Sequence, residues 1–316
     1  MKVLIVGTGV IARELERLIR LQYPDWQVEF FSSKRERNSF YIAVMLCDIV
    51  FVTISTKDNG LAAAQYIQEA LQLGKLVVTC EKGALSEYFH VFRRHMRHLG
   101  YATTVGGASG MLGLLRDPRI IIRMRAILNG SCNNISTLVE QDVELELSEG
   151  IFATQQAGYT DPGAKFIHQI INGELADACR KAVILHNLVY PEYSVRYSDM
   201  SRMPFSEDGV YQLFNKQKDE WYAKRLIVEI GPYADTLTSQ HDAGIPCFWF
   251  RNERVHITGS FKDPGWLFPM IPRGIQNCLR TEYVEGKADF QYGDGAGVTA
   301  TAQAMLIDAE QLLESN

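Results

Sequence analysis

The sequence contains no Cys-x-x-Cys pair, although six cysteines, Cys47, Cys80, Cys132, Cys179, Cys247 and Cys278, are spread along its 316 residues. Several lie inside apolar runs, so buried thiols in a reducing compartment are expected rather than a zinc site or a disulfide framework. The histidines lack metal-ligand spacing: His95 and His98 share a polar helical stretch, and His168, His186, His241 and His256 stand alone. No metal ligand is therefore assigned to any side chain. There is no apolar stretch long enough to span a membrane. There is no cationic excess either, since a net charge of −5 draws the chain to neither nucleic acid nor an anionic membrane. Internal repeats and low-complexity segments are absent, and Met1 to Val6 are too short for the apolar region of a signal peptide. These absences describe a cytoplasmic protein whose partners are small molecules or copies of itself.

What remains, 47% hydrophobic and 22% charged residues, is a globular composition with room for two domains. Short β-branched runs at 3–6, 28–31, 48–54, 76–79 and 103–105 alternate with helical patterns at 12–23, 61–73 and 87–99. Such alternation predicts right-handed crossovers and a parallel, doubly wound α/β sheet of Rossmann type. Residues 129–188 are helical in pattern, broken at the turn-rich 158–163. Strand-like runs follow at 226–230, 247–250, 255–260 and 280–284, which predicts a second domain of α+β type. The stretch 299–313 reads as a last helix, apolar at Ala302, Met305, Leu306, Ala309 and Leu313.

Gly7-Thr8-Gly9-Val10-Ile11-Ala12 follows the first strand at once and opens a helix. In a dinucleotide fold the first glycine makes the tight turn and the second lets backbone approach a pyrophosphate. The third small residue, here Ala12, packs helix on strand. The alternative is a plain strand-to-helix turn. The second strand runs out into Phe31-Ser32-Ser33-Lys34-Arg35, with hydroxyls and cations where an acid would accept the ribose hydroxyls of NAD. This favours NADP over NAD, against a merely solvated basic loop.

Two lysines stand out. Lys82 lies just past the strand 76–79, where α/β sheets bind ligands, and Lys181 is embedded in the helical run 177–185, on a stripe where a charge must justify its burial. Together they point to an acidic or carbonyl substrate. The plain alternatives are a polar loop residue for Lys82 and, for Lys181, a surface pair with Asp177 four residues earlier.

Six segments, in order, resemble homoserine dehydrogenase. They are Thr56-Lys57-Asp58-Asn59-Gly60 leading to 73–82 (Leu-Gly-Lys-Leu-Val-Val-Thr-Cys-Glu-Lys); Val105-Gly106-Gly107-Ala108; 127–135 (Ile-Leu-Asn-Gly-Ser-Cys-Asn-Asn-Ile); 155–162 (Gln-Gln-Ala-Gly-Tyr-Thr-Asp-Pro); 177–185 (Asp-Ala-Cys-Arg-Lys-Ala-Val-Ile-Leu); and 293–302 (Gly-Asp-Gly-Ala-Gly-Val-Thr-Ala-Thr-Ala). The resemblance spans nearly the whole chain. It implies a dinucleotide-binding domain, 1–128 completed by the helix 295–316, and a catalytic and dimerising domain, 129–294. It also implies reversible hydride transfer between NAD(P)H and L-aspartate 4-semialdehyde, giving L-homoserine, in a short homodimeric form without a regulatory domain.

Carried onto this chain, the resemblance makes Lys181 the proton donor and Lys82 its partner near the nicotinamide and the substrate oxygen. Asp161, Asp177 and Glu174 would bind substrate. Gly7, Gly9, Val10, Ile11, Ser33, Lys34, Arg35, Ser55, Thr56, Lys82, Gly295, Ala296 and Gly297 would bind cofactor, and some members also hold a monovalent cation on carbonyls before Gly158. Asp161 is equally an Asp-Pro turn former, and Gly295 to Gly297 equally a helix entry. The chain departs from the family pattern at Glu81, where asparagine is usual, and between 163 and 174, where a second acid of the family is missing and only Glu174 follows. The readings left open are a diverged member reducing another small amino or oxo aldehyde, and a non-catalytic NADP-binding regulatory protein.

Overall fold

The computed structural model describes all residues except 33–36, 118, 143, 161–162, 215–222, 233–243, 266, 296 and 316. Contacts divide the chain into two units, residues 1–108 with 297–316, and residues 109–296.

In the first unit β1 (Lys2–Val6), α1 (Val10–Gln22), β2 (Gln27–Phe31), α2 (Arg37–Met45), β3 (Ile49–Val52), α3 (Leu61–Gln72), β4 (Leu76–Thr79), α4 (Lys82–Phe92) and β5 (Leu99–Gly100) follow one another. The strands form one parallel sheet in the order β2-β1-β3-β4-β5. Every residue of β3 is buried, as a strand covered on both faces requires, which is why these runs are continuously apolar. Ala12, Leu15, Leu18 and Ile19 of α1 close one face together with Ala302, Met305, Leu306, Ala309 and Leu312 of the C-terminal helix, Val298–Ser315. Each large side chain removed from water there contributes about 1.5–3 kcal/mol. Two expectations are corrected. Leu312 is the buried residue of the last turn and Leu313 is 37% exposed. Residues 103–105 are not a strand: Ala102–Thr104 is a 3-10 turn, because the buried Asp308 carboxylate takes the Ala102 amide at 2.7 Å and Thr104 donates to the Tyr101 carbonyl at 2.7 Å, local bonds that compete with a ladder.

The second unit begins with β6 (Ile121–Ile127), α5 (Gly130–Gln141), α6 (Leu147–Gln156), α7 (Ile167–Val189), β7 (Ser201–Arg202) and α8 (Glu207–Phe214), and ends with β8 (Arg225–Gly231), β9 (Ile245–Arg251), β10 (His256–Lys262), β11 (Gln276–Tyr283) and β12 (Ala288–Asp294). The sheet order is β12-β11-β6-β8-β10-β9-β7, with antiparallel neighbours. The molecule is thus a Rossmann-like domain plus an α+β domain. β6 sits in the middle of this second sheet, so the boundary read at 128/129 lies downstream of the division between the units. Its charges conceal it in the sequence: Arg125 is buried and meets Glu229 of β8 at 3.1 Å and Glu282 of β11 at 2.6 Å. No helix among the described residues is long and apolar enough to cross a membrane.

Candidate active site

The turn from β1 into α1 is built around two glycines with different tasks. Gly7 has φ +125°, and a Cβ there would come within 2.6 Å of Thr53 Oγ1, so only glycine fits beside β3. Its amide donates to the Phe31 carbonyl at 3.0 Å. Gly9, the N-cap of α1, has an ordinary φ of −76° and no side chain caps the helix. A Cβ on Gly9 would touch nothing within 4 Å. An uncapped helix N-terminus beside empty space suits an anion. Thr8, Gly9, Val10, Arg13, Glu14, Arg17 and Val298 line an open depression of about 500 Å³ at this point, where the Glu14 carboxylate is neutralised by Arg17 at 2.8 Å, and Ile11 turns toward the core. A dinucleotide pyrophosphate fits these residues.

Ser55 and Thr56 are exposed on the loop after β3. Asp58 and Asn59 adopt φ +46° and +52°, a strained turn that lets Gly60 press against α4, where a Cβ would lie 2.2 Å from the Ala84 nitrogen. Glu81, 3% exposed, caps α4: it accepts from the Gly83 amide at 3.0 Å and the Ala84 amide at 2.6 Å, and from the Thr56 hydroxyl. Such a cap is worth about 1–2 kcal/mol. The departure from asparagine therefore supplies a longer capping carboxylate that ties the two loops together and fixes Lys82, half-buried, as the first residue of α4. Burial pushes the neighbouring Cys80 thiol up to about 11, against the pull of the Lys82 charge.

In the second unit, three charged side chains follow one stripe of α7. Lys181 is 5% exposed and donates from Nζ to Asp177 Oδ2 at 2.7 Å and to the Leu128 carbonyl at 2.8 Å. The surface pair considered from the sequence is thereby replaced by a buried one. One turn earlier Glu174 accepts at Oε2 from Asn129 Nδ2 at 2.7 Å, and the same amide lies 3.4 Å from Asp177 Oδ2. Asn129 also caps α5 through the Cys132 amide at 2.7 Å, so one residue fixes α5 against α7. Burial, and then the Asp177 charge, raise Glu174 to about 7, opposed by hydrogen bonds from Asn129 and Ser131 and by the Lys181 charge.

Leu128 is anchored from behind. Asn277 Nδ2 donates to its carbonyl at 3.2 Å, and a Cβ on Gly295 would stand 2.3 Å from that amide. Gly295 thus keeps Asn277 in reach of the carbonyl that holds Lys181. Gly297 has φ +129° and opens the C-terminal helix. Ser33, Lys34, Arg35, Asp161 and Ala296 lie outside the described residues. Among the described residues no group of three His, Cys, Asp or Glu side chains could hold a metal ion. Sequence reasoning missed Asn129, Ser131 and Asn277 as members of the site. For Asn129 the signal was present, an asparagine at the start of a helix; for Asn277 there was none.

The profile of the homoserine dehydrogenase family matches residues 111–309. The homoserine dehydrogenase of Methanocaldococcus jannaschii is 31% identical over 286 residues, 84% of this chain and 73% of that protein. That of Sulfurisphaera tokodaii is 27% identical over 184 residues, 55% of this chain and 58% of that protein. Among solved structures, homoserine dehydrogenase from Thermoplasma acidophilum superposes with a TM-score of 0.68 at 16% identity, covering 99% of both chains. A hyperthermophilic archaeal homoserine dehydrogenase mutant in complex with NADPH gives 0.66 at 16% identity, covering 100% of this chain and 98% of that one. The ordered motifs, the two-domain architecture and these matches agree, and the chain belongs to the homoserine dehydrogenase family of NAD(P)-dependent dehydrogenases acting on a CH–OH group.

Proposed function

We propose that the protein catalyses the reversible reduction of L-aspartate 4-semialdehyde to L-homoserine with NADPH. The observation that carries this reading is the buried Lys181, held between the Asp177 carboxylate and the Leu128 carbonyl, with Glu174 one turn beyond Asp177 on the same helix. A bound nicotinamide supplies or accepts the hydride. The chain has to manage the charge that appears on the aldehyde oxygen. Lys181 gives its proton to that oxygen, and its two acceptors hold Nζ in one orientation, which saves the cost of reorganising it during reaction. Lys82 takes the role that the family resemblance gives its position, a cation toward the nicotinamide and the substrate oxygen. Asp177 and Glu174, with Asp161, hold the substrate's ammonium group, Glu174 serving as the acid missing from the 163–174 stretch.

Gly7, Gly9, Val10 and Ile11 hold the pyrophosphate, with Ser55, Thr56 and Lys82 on the neighbouring loops and Gly295, Ala296 and Gly297 before the last helix. Ser33, Lys34 and Arg35 receive the ribose phosphate, as the hydroxyls and cations of the run 32–35, ahead of Glu36, support. The protein acts as a homodimer on a small-molecule substrate. The Glu174 arrangement is also compatible with a related amino aldehyde, whereas a purely regulatory role leaves the buried ammonium without a task.

The test is oxidation of NADPH and of NADH, side by side, with L-aspartate 4-semialdehyde. Faster oxidation of NADPH is expected; binding of NADPH without any oxidation defeats the reading. Gly9→Ala separates cofactor binding from folding. Its Cβ meets only empty space in the protein, so the melting temperature should not change. Intrusion on the pyrophosphate should weaken NADPH binding by roughly tenfold or more, measured by titrating NADPH fluorescence.

A further inference from the structure

The segment 190–206 runs along α7 and is stapled to it by three side chains of that helix. Asn172 exchanges two hydrogen bonds with the Phe205 backbone, both 2.9 Å. Asn187 does the same with Val195 at 2.9 and 2.8 Å, and His186 Nε2 meets the Tyr193 carbonyl at 3.0 Å. This strap carries Tyr197, 3% exposed, onto α7. The ring receives two cations: Arg180 Cζ lies 4.1 Å from its centroid and Arg202 Cζ 4.2 Å.

Neither arginine forms an ion pair among the described residues, whereas Lys181, Arg125 and Arg225 each meet a carboxylate. The Nε of Arg180 is buried and has no hydrogen-bond partner. A tyrosine face attracts a guanidinium but leaves its N–H donors unmet, and a buried donor without an acceptor calls for one. Both charges also reach the buried Cys179 thiol, which they pull down while burial pushes it up to about 12. Two cations gathered on one tyrosine ring, each a planar fork of N–H donors, suit an anion carrying several oxygens.

We propose that Arg180, Arg202 and Tyr197 form a second anion site, apart from the substrate and cofactor residues, that takes a small dianion such as a phosphate or a dicarboxylate. The ligand bridges α7 and the strap. Because Arg180 precedes Lys181, the occupied site clamps the helix that carries the proton donor from its strap-covered side.

The test is calorimetric titration of the full chain with sodium phosphate and, separately, with sodium succinate, using sodium chloride at matched ionic strength as control. Wild type is compared with Arg202→Gln, an exposed position, and with Arg180→Gln. The glycine turn at α1 is common to all three, so the difference between them reports this site alone and does not depend on the assigned reaction. At least one of the two anions should bind wild type, and both variants should weaken that binding by at least about tenfold, the loss expected for a charge-assisted contact. The tighter anion identifies the ligand class. Equal binding by wild type and Arg202→Gln, or no binding of either anion to wild type, overturns the proposal.

Discussion

Lys181→Met should lower kcat for aldehyde reduction by roughly a hundredfold to ten-thousandfold, the range for removing a positioned acid. Methionine keeps the length and apolar stem of lysine but removes the proton and the charge. The loss should fall mainly on kcat, because the interaction with the substrate oxygen strengthens only as charge develops there. A folding cost accompanies it. Asp177 loses its partner at 2.7 Å and is left beside Glu174, and breaking a buried pair costs about 3–5 kcal/mol. Asp177 retains 25% side-chain exposure, so water offsets part of that. Kinetics at saturating substrate and thermal unfolding, measured on the same preparation, separate the two effects. A kcat within tenfold of wild type in a folded variant would remove Lys181 from the chemistry.

Glu174→Gln should act in opposite directions on stability and on substrate binding. In the folded protein Glu174 is raised from 4.5 to about 7, by burial first and the Asp177 charge second. Between those two values the native state holds a proton that the unfolded chain releases, so stability falls as pH rises through that window. Glutamine carries no such dependence, and above pH 7 the variant should be the more stable, by the order of 1–3 kcal/mol. Substrate binding requires the charge. The KM of wild type should fall as pH rises through about 7, when Glu174 ionises and pairs with the substrate ammonium. In the variant KM should be raised by about tenfold or more and lose this pH dependence. Unfolding curves and KM between pH 5 and 9 check both parts; parallel KM profiles for the two proteins would show that Glu174 does not meet the substrate.

How much was readable from the sequence follows from the range of the interactions. The glycine turn at 7–9, the buried runs of β3 and β4 and the stripe Asp177–Lys181 are local patterns, set by backbone sterics and by helix or strand period, and they were legible. The strands β6 and β12 were not. Arg123 and Arg125 interrupt the apolar signal of β6, and the partners that neutralise Arg125, Glu229 and Glu282, come about a hundred residues or more later. The 3-10 turn at 102–104 was hidden for the same reason, since its decisive acceptor is Asp308.

Sequence alone determined the family and the glycine turn between β1 and α1, and it singled out both lysines, because each rests on residue types at short, fixed spacings. Tertiary structure decided what those residues face. It buried Lys181 instead of leaving it in a surface pair, because the Leu128 carbonyl, backed by Asn277, gives the ammonium a second acceptor away from water. It turned Glu81 from a mismatch into a cap, and it brought Glu174 to Asn129 and Asp177 where the sequence showed only a missing acid. Desolvation and hydrogen bonding to distant backbone set these outcomes, and neither is written in the local order of residues.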